Sequence, residues 1–258
     1  SLTPRQTAEG ILTVADATMA RAILVITAER AVDPAHVPLV AYGGAGGLHA
    51  ASLMLQLGMP SAVMPSHPGA FSAVGLALAG EATEVTEAVR SSLSSGGLTE
   101  ILARGQELLA QAQGLLNGKR NRGRVEAMVR YQGQGACLRL PLTRRLAINF
   151  LAEHQRRFGF ATDAPIEIVQ LRARAECAAS ALPAAELPST ATTRRAPTPA
   201  MTRRPPLGGR ALPIYDRQSL TSQPLHGPAI IEESTATTLV PAKCQLRLSP
   251  FGLRIARC

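Results

Sequence analysis

Val37-Pro38-Leu39-Val40-Ala41-Tyr42-Gly43-Gly44-Ala45-Gly46-Gly47-Leu48-His49-Ala50 reads as a buried strand that runs into a glycine loop and then into a helix start. Four of the five residues 43–47 are glycine. Such a run lets a backbone pass close to a ligand, at an entropic cost that folding alone seldom justifies. The amides at the following helix N-terminus lack intrahelical acceptors and attract a polar or anionic group. The loop has neither the lysine and hydroxyl residue of a Walker A motif nor the full G-x-G-x-x-G spacing. Pattern alone therefore leaves two readings open, a nucleotide-contacting turn and a tight strand-to-helix turn.

Working outward, Thr3 and Gln6 form a T-x-x-Q capping box with Pro4 at the first helical position. Apolar Ile11, Ala15, Met19, Ala22, Ile23 and Ile26 follow at helical spacing, which predicts a long helix over residues 4–31. Asp33-Pro34 ends it, residues 38–42 form the strand, and residues 48–57 form a second helix closed by Gly58. A short strand at 61–64 leads through Pro65-Ser66-His67-Pro68-Gly69 to a small-residue helix at 70–79. Two strands are too few for a stable sheet, so this unit is expected to complete a sheet begun elsewhere.

Residues 98–116 read as an amphipathic helix, 124–131 and 137–142 as antiparallel strands around Gln132-Gly133-Gln134-Gly135, 147–158 as a helix and 166–176 as a long strand. Residues 181–210 are rich in Ala, Pro, Thr and Arg, and read as a linker or arm. Short strands at 212–215, 229–232, 235–240, 245–248 and 253–256 predict a small β domain. The fold class is thus α/β and α+β. Expected bodies are a partial nucleotide-binding α/β unit at 1–92, an α+β module at 93–180, the linker, and a β domain at 211–258.

Composition bounds the function. An apolar fraction of 46% over 258 residues supports packed cores. No apolar run approaches the roughly 20 residues of a bilayer span, and the N-terminal stretch does not resemble a signal peptide, so a cytoplasmic protein with no membrane partner is expected. The net charge of +9 invites a nucleic-acid reading. Dispersed arginines, no Trp, three Tyr and five Phe argue against it. Cys137, Cys177, Cys244 and Cys258 show no C-x-x-C spacing, so neither a zinc knuckle nor a disulfide framework is indicated.

Ordered segments resemble the C-terminal portion of the hydantoinase A, 5-oxoprolinase and acetone carboxylase β-subunit family. They are Ala8-Glu9-Gly10-Ile11 with Met19-Ala20-Arg21-Ala22-Ile23, Tyr42 through Ala50, His67-Pro68-Gly69 with Ser72-Ala73-Val74-Gly75-Leu76, and Arg130-Tyr131-Gln132-Gly133-Gln134. Phe158-Gly159-Phe160 through Pro165-Ile166-Glu167-Ile168-Val169, and Gly227-Pro228-Ala229-Ile230-Ile231-Glu232-Glu233 with Thr237-Thr238-Leu239-Val240-Pro241, extend the likeness over nearly the whole chain.

The resemblance implies an actin-like (ribonuclease H-like) nucleotide-binding core that uses ATP, with Mg2+ bridging the phosphates, to phosphorylate a carbonyl oxygen of a cyclic amide. Water then opens the hydantoin- or 5-oxoproline-type ring. It assigns Gly43, Gly44, Ala45, Gly46 and Gly47 to the adenosine side of the nucleotide, with His49 beside them, and leaves the catalytic residues unassigned. The family's phosphate-gripping motifs are absent, since no D-x-G-G-T-like sequence occurs in the chain. They are expected on an upstream N-terminal portion or a separate subunit, alongside a hydantoinase B-type partner. An acetone carboxylase-type subunit and a non-catalytic assembly module are the alternatives.

Gly47 stands where many relatives carry proline, Asp16 where they commonly carry Asn, and Gly80-Glu81-Ala82-Thr83-Glu84 departs from the usual Asp-containing stretch. His67 is expected to cap a turn, and Arg21 to be solvated or salt-bridged, ahead of any ligand role. Gln132-Gly133-Gln134-Gly135 is expected to form a hairpin turn or a subunit contact.

Overall fold

The computed structural model describes residues 2–93, 97–179, 196–204 and 209–258. In chain order the elements are α1 (Pro4–Glu29), β1 (Leu39–Val40), α2 (Gly46–Gln56), β2 (Ala62–Met64), α3 (Phe71–Leu78), β3 (Ala82–Ser92) and α4 (Gly97–Gly114). There follow β4 (Asn121–Tyr131), β5 (Leu138–Pro141), α5 (Leu146–Phe158), β6 (Ile166–Cys177), β7 (Met201–Arg203) and β8 (Leu212–Asp216). The chain closes with β9 (Leu225–His226), β10 (Ala229–Glu232), β11 (Thr237–Val240), β12 (Cys244–Ser249) and β13 (Gly252–Arg257). The linker expected at 181–210 lies outside the described residues except for 196–204 and 209–210, where β7 falls.

The chain divides into two compact units, one made of residues 1–77 with 182–258, the other of residues 78–181. In the first, a five-stranded sheet runs β1-β2-β13-β12-β9 and a four-stranded sheet runs β11-β10-β8-β7. β1 and β2 pair in parallel, and β13 pairs antiparallel to β2 through Ala62↔Ile255 and Met64↔Leu253. The sheet begun near the N-terminus is therefore finished by the last hairpin. The strands expected to form a separate β domain at 211–258 belong instead to the same unit as residues 1–77, because Leu253, Ile255 and Leu246 share one core with Met54, Met64 and Ile231.

Two expectations change here. The strand at 38–42 is neither long nor buried. It is the two-residue edge strand β1, with Val40 half exposed. The helix α1 forms as its capping box dictates, with Gln6 N donating to Thr3 Oγ1 at 3.2 Å and Thr3 N to Gln6 Oε1 at 2.9 Å. Its predicted stripe is buried only in part: Ala15, Met19 and Ile23 are half-buried, with Ile23 packed on the first unit's core beside buried Ala20, whereas Ile11, Ala22 and Ile26 are exposed, as are Leu12, Val14, Leu24 and Val25. By length and composition alone, α1 is long and apolar enough to cross a membrane. In the sequence Asp16 and Arg21 cut the run into shorter apolar pieces, which hides this length.

In the second unit an antiparallel sheet runs β3-β6-β4-β5, with α4 packed across β3, β4 and β6 and α5 against β5. Its core gathers Leu108, Leu116, Leu146, Phe150, Ile168 and Leu171. β3 falls where the sequence suggested no element. Its alternation places threonine, serine and glutamate beside only two valines, Val85 and Val89, so the apolar signal is weak. Gln132-Gly133-Gln134-Gly135 makes a turn in which Gln134 N donates to Tyr131 O at 3.0 Å. The Gln134 amide also reaches His154 Nε2 at 3.1 Å, while His154 Nδ1 donates to Phe160 O at 2.8 Å. This fully buried histidine sits among the rings of Tyr131, Phe150, Phe158 and Phe160, its polar atoms satisfied.

Phe150→Ala should cost about 3–5 kcal/mol of unfolding free energy, read by denaturant titration, because it empties the centre of this core. Glu153 is held at a pKa of about 2, chiefly by the Arg156 guanidinium with Arg157 assisting. Its folded-state pKa is depressed, so its stabilisation is fully present above the ordinary carboxylate range and is lost as pH falls towards 2. Glu153→Gln should flatten the acid limb of a stability-versus-pH curve and leave its slope above pH 6 or so unchanged.

Candidate functional site

The loop at 43–47 is held from two sides within the first unit. Gly43 adopts φ 88°, a left-handed conformation that favours glycine, and its amide donates to Pro68 O at 2.7 Å. Gly44 O accepts from Thr237 N at 3.1 Å, which ties the loop to the start of β11. Gly47 is the point of closest approach. A Cβ there would lie 2.5 Å from Thr238 Oγ1 and 2.7 Å from Thr237 O, so in this chain any side chain at position 47 would force α2 and β11 apart. Gly47 is buried, and its glycine requirement is a packing requirement, distinct from the nucleotide contact the resemblance assigned to it.

Gly44 and Ala45, by contrast, are exposed, and Gly43 and Gly46 partly so. Gly46 N is satisfied by Gly43 O at 3.3 Å. Among the described residues the amides of Gly44 and Ala45 have no acceptor, and Ala45, as the N-cap of α2, contributes no side-chain cap. Two free N–H groups at the positive end of an 11-residue helix can bind an anionic or carbonyl oxygen.

His49, on the first turn of α2, meets Asp16 of α1: Nδ1 and Oδ1 are 2.6 Å apart, with the side chains 22% and 15% exposed. The carboxylate fixes the ring, and Nε2 has no partner among the described residues. From the sequence, Asp16 is marked only as standing where relatives commonly carry Asn. The structure gives it a task, the orientation of His49. Sequence reasoning also missed the aromatic pair Tyr42 and Phe71, whose ring centroids are 5.4 Å apart. Tyr42 is 52% exposed and immediately precedes the loop, so it offers a flat apolar face beside the free amides. It stood inside the diagnostic motif, but its strand position hid its exposure.

The other candidates, His67 and Arg21, make no side-chain hydrogen bond or ion pair to this group among the described residues. His67 is exposed, with φ 52°, and its side chain makes no cap bond, although its carbonyl accepts from Ala70 N at 3.0 Å. The turn-capping task expected of its side chain is therefore replaced by a backbone one. Arg21 is exposed and forms no ion pair among the described residues. No group of three or more His, Cys, Asp or Glu that could hold a metal ion occurs among the described residues.

Residues 1–85 match the family described as Hydantoinase/oxoprolinase. An uncharacterized protein of Methanocaldococcus jannaschii is 29% identical over 97% of this chain and 38% of its own length. The 5-oxoprolinase of Dictyostelium discoideum is 28% identical over 97% of this chain and 21% of its own length. Among solved structures, ATP-dependent caprolactamase from Pseudomonas jessenii shares the fold with a TM-score of 0.69, at 24% identity, over 97% of this chain and 39% of that one. Nucleotide-free acetone carboxylase shares it with a TM-score of 0.62, at 18% identity, over 96% of this chain and 39% of that one. The resemblance read from the sequence thus holds, and the mixed α and β architecture is that of these neighbours. The chain spans well under half the length of each relative.

Gly47→Ala should destabilise the first unit by about 1–3 kcal/mol, because the added methyl would press on the β11 backbone at Thr237 and Thr238. Gly44→Ala, at 3.1 Å from Thr235 O, should cost less, and comparison of the two thermal midpoints checks this ranking.

Proposed function

We propose that this chain is part of an ATP-dependent hydrolase that opens a cyclic amide of the hydantoin or 5-oxoproline type through a phosphorylated carbonyl. Its first unit would supply the adenosine wall of the nucleotide cleft, in an actin-like core completed by polypeptide outside these 258 residues. The observation that carries this reading is the pair of unpartnered, exposed amides at Gly44 and Ala45 beside the exposed ring of Tyr42 and the Asp16–His49 pair. The amides suit ribose or phosphate oxygens, and Tyr42 suits the face of a purine. His49, oriented by Asp16, can donate or accept one hydrogen bond at the rim.

ATP would supply the phosphoryl group that turns a poor leaving oxygen into a good one. The grip on its triphosphate is assigned to the complementary polypeptide, since no D-x-G-G-T-like segment is present. Among the described residues no group of three or more His, Cys, Asp or Glu could hold magnesium, so its ligands too are assigned to the complementary polypeptide. The exposed apolar side of α1 is where the complementary polypeptide would pack. The likeness to acetone carboxylase favours a second reading, a subunit in which ATP activates a ketone, and the substrate accepted by the assembled enzyme separates the two.

Binding of a non-hydrolysable ATP analogue, measured for this chain alone and after mixing with the complementary polypeptide, tests the proposal. Binding is expected in the mixture. Tyr42→Ala should weaken it about tenfold through loss of stacking, at roughly 1–3 kcal/mol per base. Binding in neither sample would leave the chain as a non-catalytic assembly module.

A further inference from the structure

The second unit carries a cleft that the proposed nucleotide wall does not use. It has a volume of about 910 Å³ and is lined by Arg120, Arg122, Arg174, Asn121, Glu176 and Gly80 with their neighbours. A space of this size suits a small-molecule ligand, for which pockets run to roughly 300–1,000 Å³. It lies where β6 ends and β3 and β4 begin. The close approach at Gly80 builds one wall, because a Cβ there would lie 2.3 Å from Cys177 O. Gly80, which departed from the family pattern, thus has a local structural reason.

The charges of the cleft do not balance internally. Glu176, the only carboxylate among its described lining residues, accepts from Arg174 Nε at 3.0 Å and from Arg124 Nη1 at 3.3 Å. Arg174 and then Arg124 hold that carboxyl below its ordinary range, so it stays ionised and engaged. Arg120 and Arg122 are exposed and make no ion pair among the described residues. Register places Arg122 opposite Glu176 across β4 and β6, yet the nearest guanidinium groups on that carboxylate are those of Arg174 and Arg124. Two planar, permanently charged forks are therefore left facing one concave surface.

We propose that this cleft binds a small organic or inorganic anion carrying at least two negative charges, with Arg120 and Arg122 as its principal ligands and Arg174 completing the cationic wall. Bidentate arginine contacts select phosphate or carboxylate oxygens, and the shared chemistry is a polyanion of compact size. The site is independent of the nucleotide reading, since it uses none of residues 42–49.

Isothermal titration calorimetry on the full 258-residue chain with inorganic pyrophosphate and, separately, citrate tests the proposal. Saturable one-site binding is expected for at least one of them. Tighter pyrophosphate binding assigns the site to phosphates, and tighter citrate binding assigns it to polycarboxylates. Arg122→Gln should weaken binding about tenfold and Arg120→Gln with Arg122→Gln should abolish it, with thermal midpoints unchanged. Arg254→Gln, an exposed arginine on β13 in the other unit, removes the same charge and should leave affinity unchanged. Absence of saturable binding to both probes, or equal weakening by Arg254→Gln and Arg122→Gln, would overturn the inference.

Discussion

The first unit depends on one close approach, the seating of α2 on β11 at Gly47. With a side chain absent there, the Thr237–Thr238 backbone comes within about the distance of a methyl group, and Thr237 N can reach Gly44 O at 3.1 Å. That bond and the one from Gly43 to Pro68 fix the loop from both flanks. A loop clamped in this way has its remaining amides, those of Gly44 and Ala45, turned away from its partners. The entropy that glycine loses on folding is thus offset by packing at Gly47, and the two flanking bonds leave the Gly44 and Ala45 donors open.

The same contact explains the topology. A loop at 43–47 can be braced by residues 237–238 only if the two ends of the chain fold as one unit. The pairing of β13 with β2 and the shared core of Met54, Met64, Leu253 and Ile255 provide this. β1 and β2 alone would form a marginal ribbon, so the C-terminal hairpin is a structural requirement of the N-terminal loop.

Local features were legible in the sequence and long-range ones were not. The capping box at Thr3 and Gln6, the helices α2, α4 and α5, and the strands β4, β6, β10 and β13 follow from spacing and turn chemistry within a dozen or so residues. The pairing of β13 with β2, the exposure of α1 and the isolation of β3's two valines depend on partners distant in sequence, which periodicity does not encode. At the candidate site the glycines and His49 were found from the motif, whereas the separation of Gly47 from Gly44 and Ala45 needed the position of β11. Asp16 lies 33 residues before its partner, and no local pattern joins the two.

The central claim concerns two backbone amides, and nitrogen-15 NMR reads them directly. With the complementary polypeptide added, titration of a non-hydrolysable ATP analogue should move the Gly44 and Ala45 amide resonances to saturation, with Gly47 moving least among the loop glycines. An analogue that binds the mixture while Gly44 and Ala45 stay in place would contradict the account.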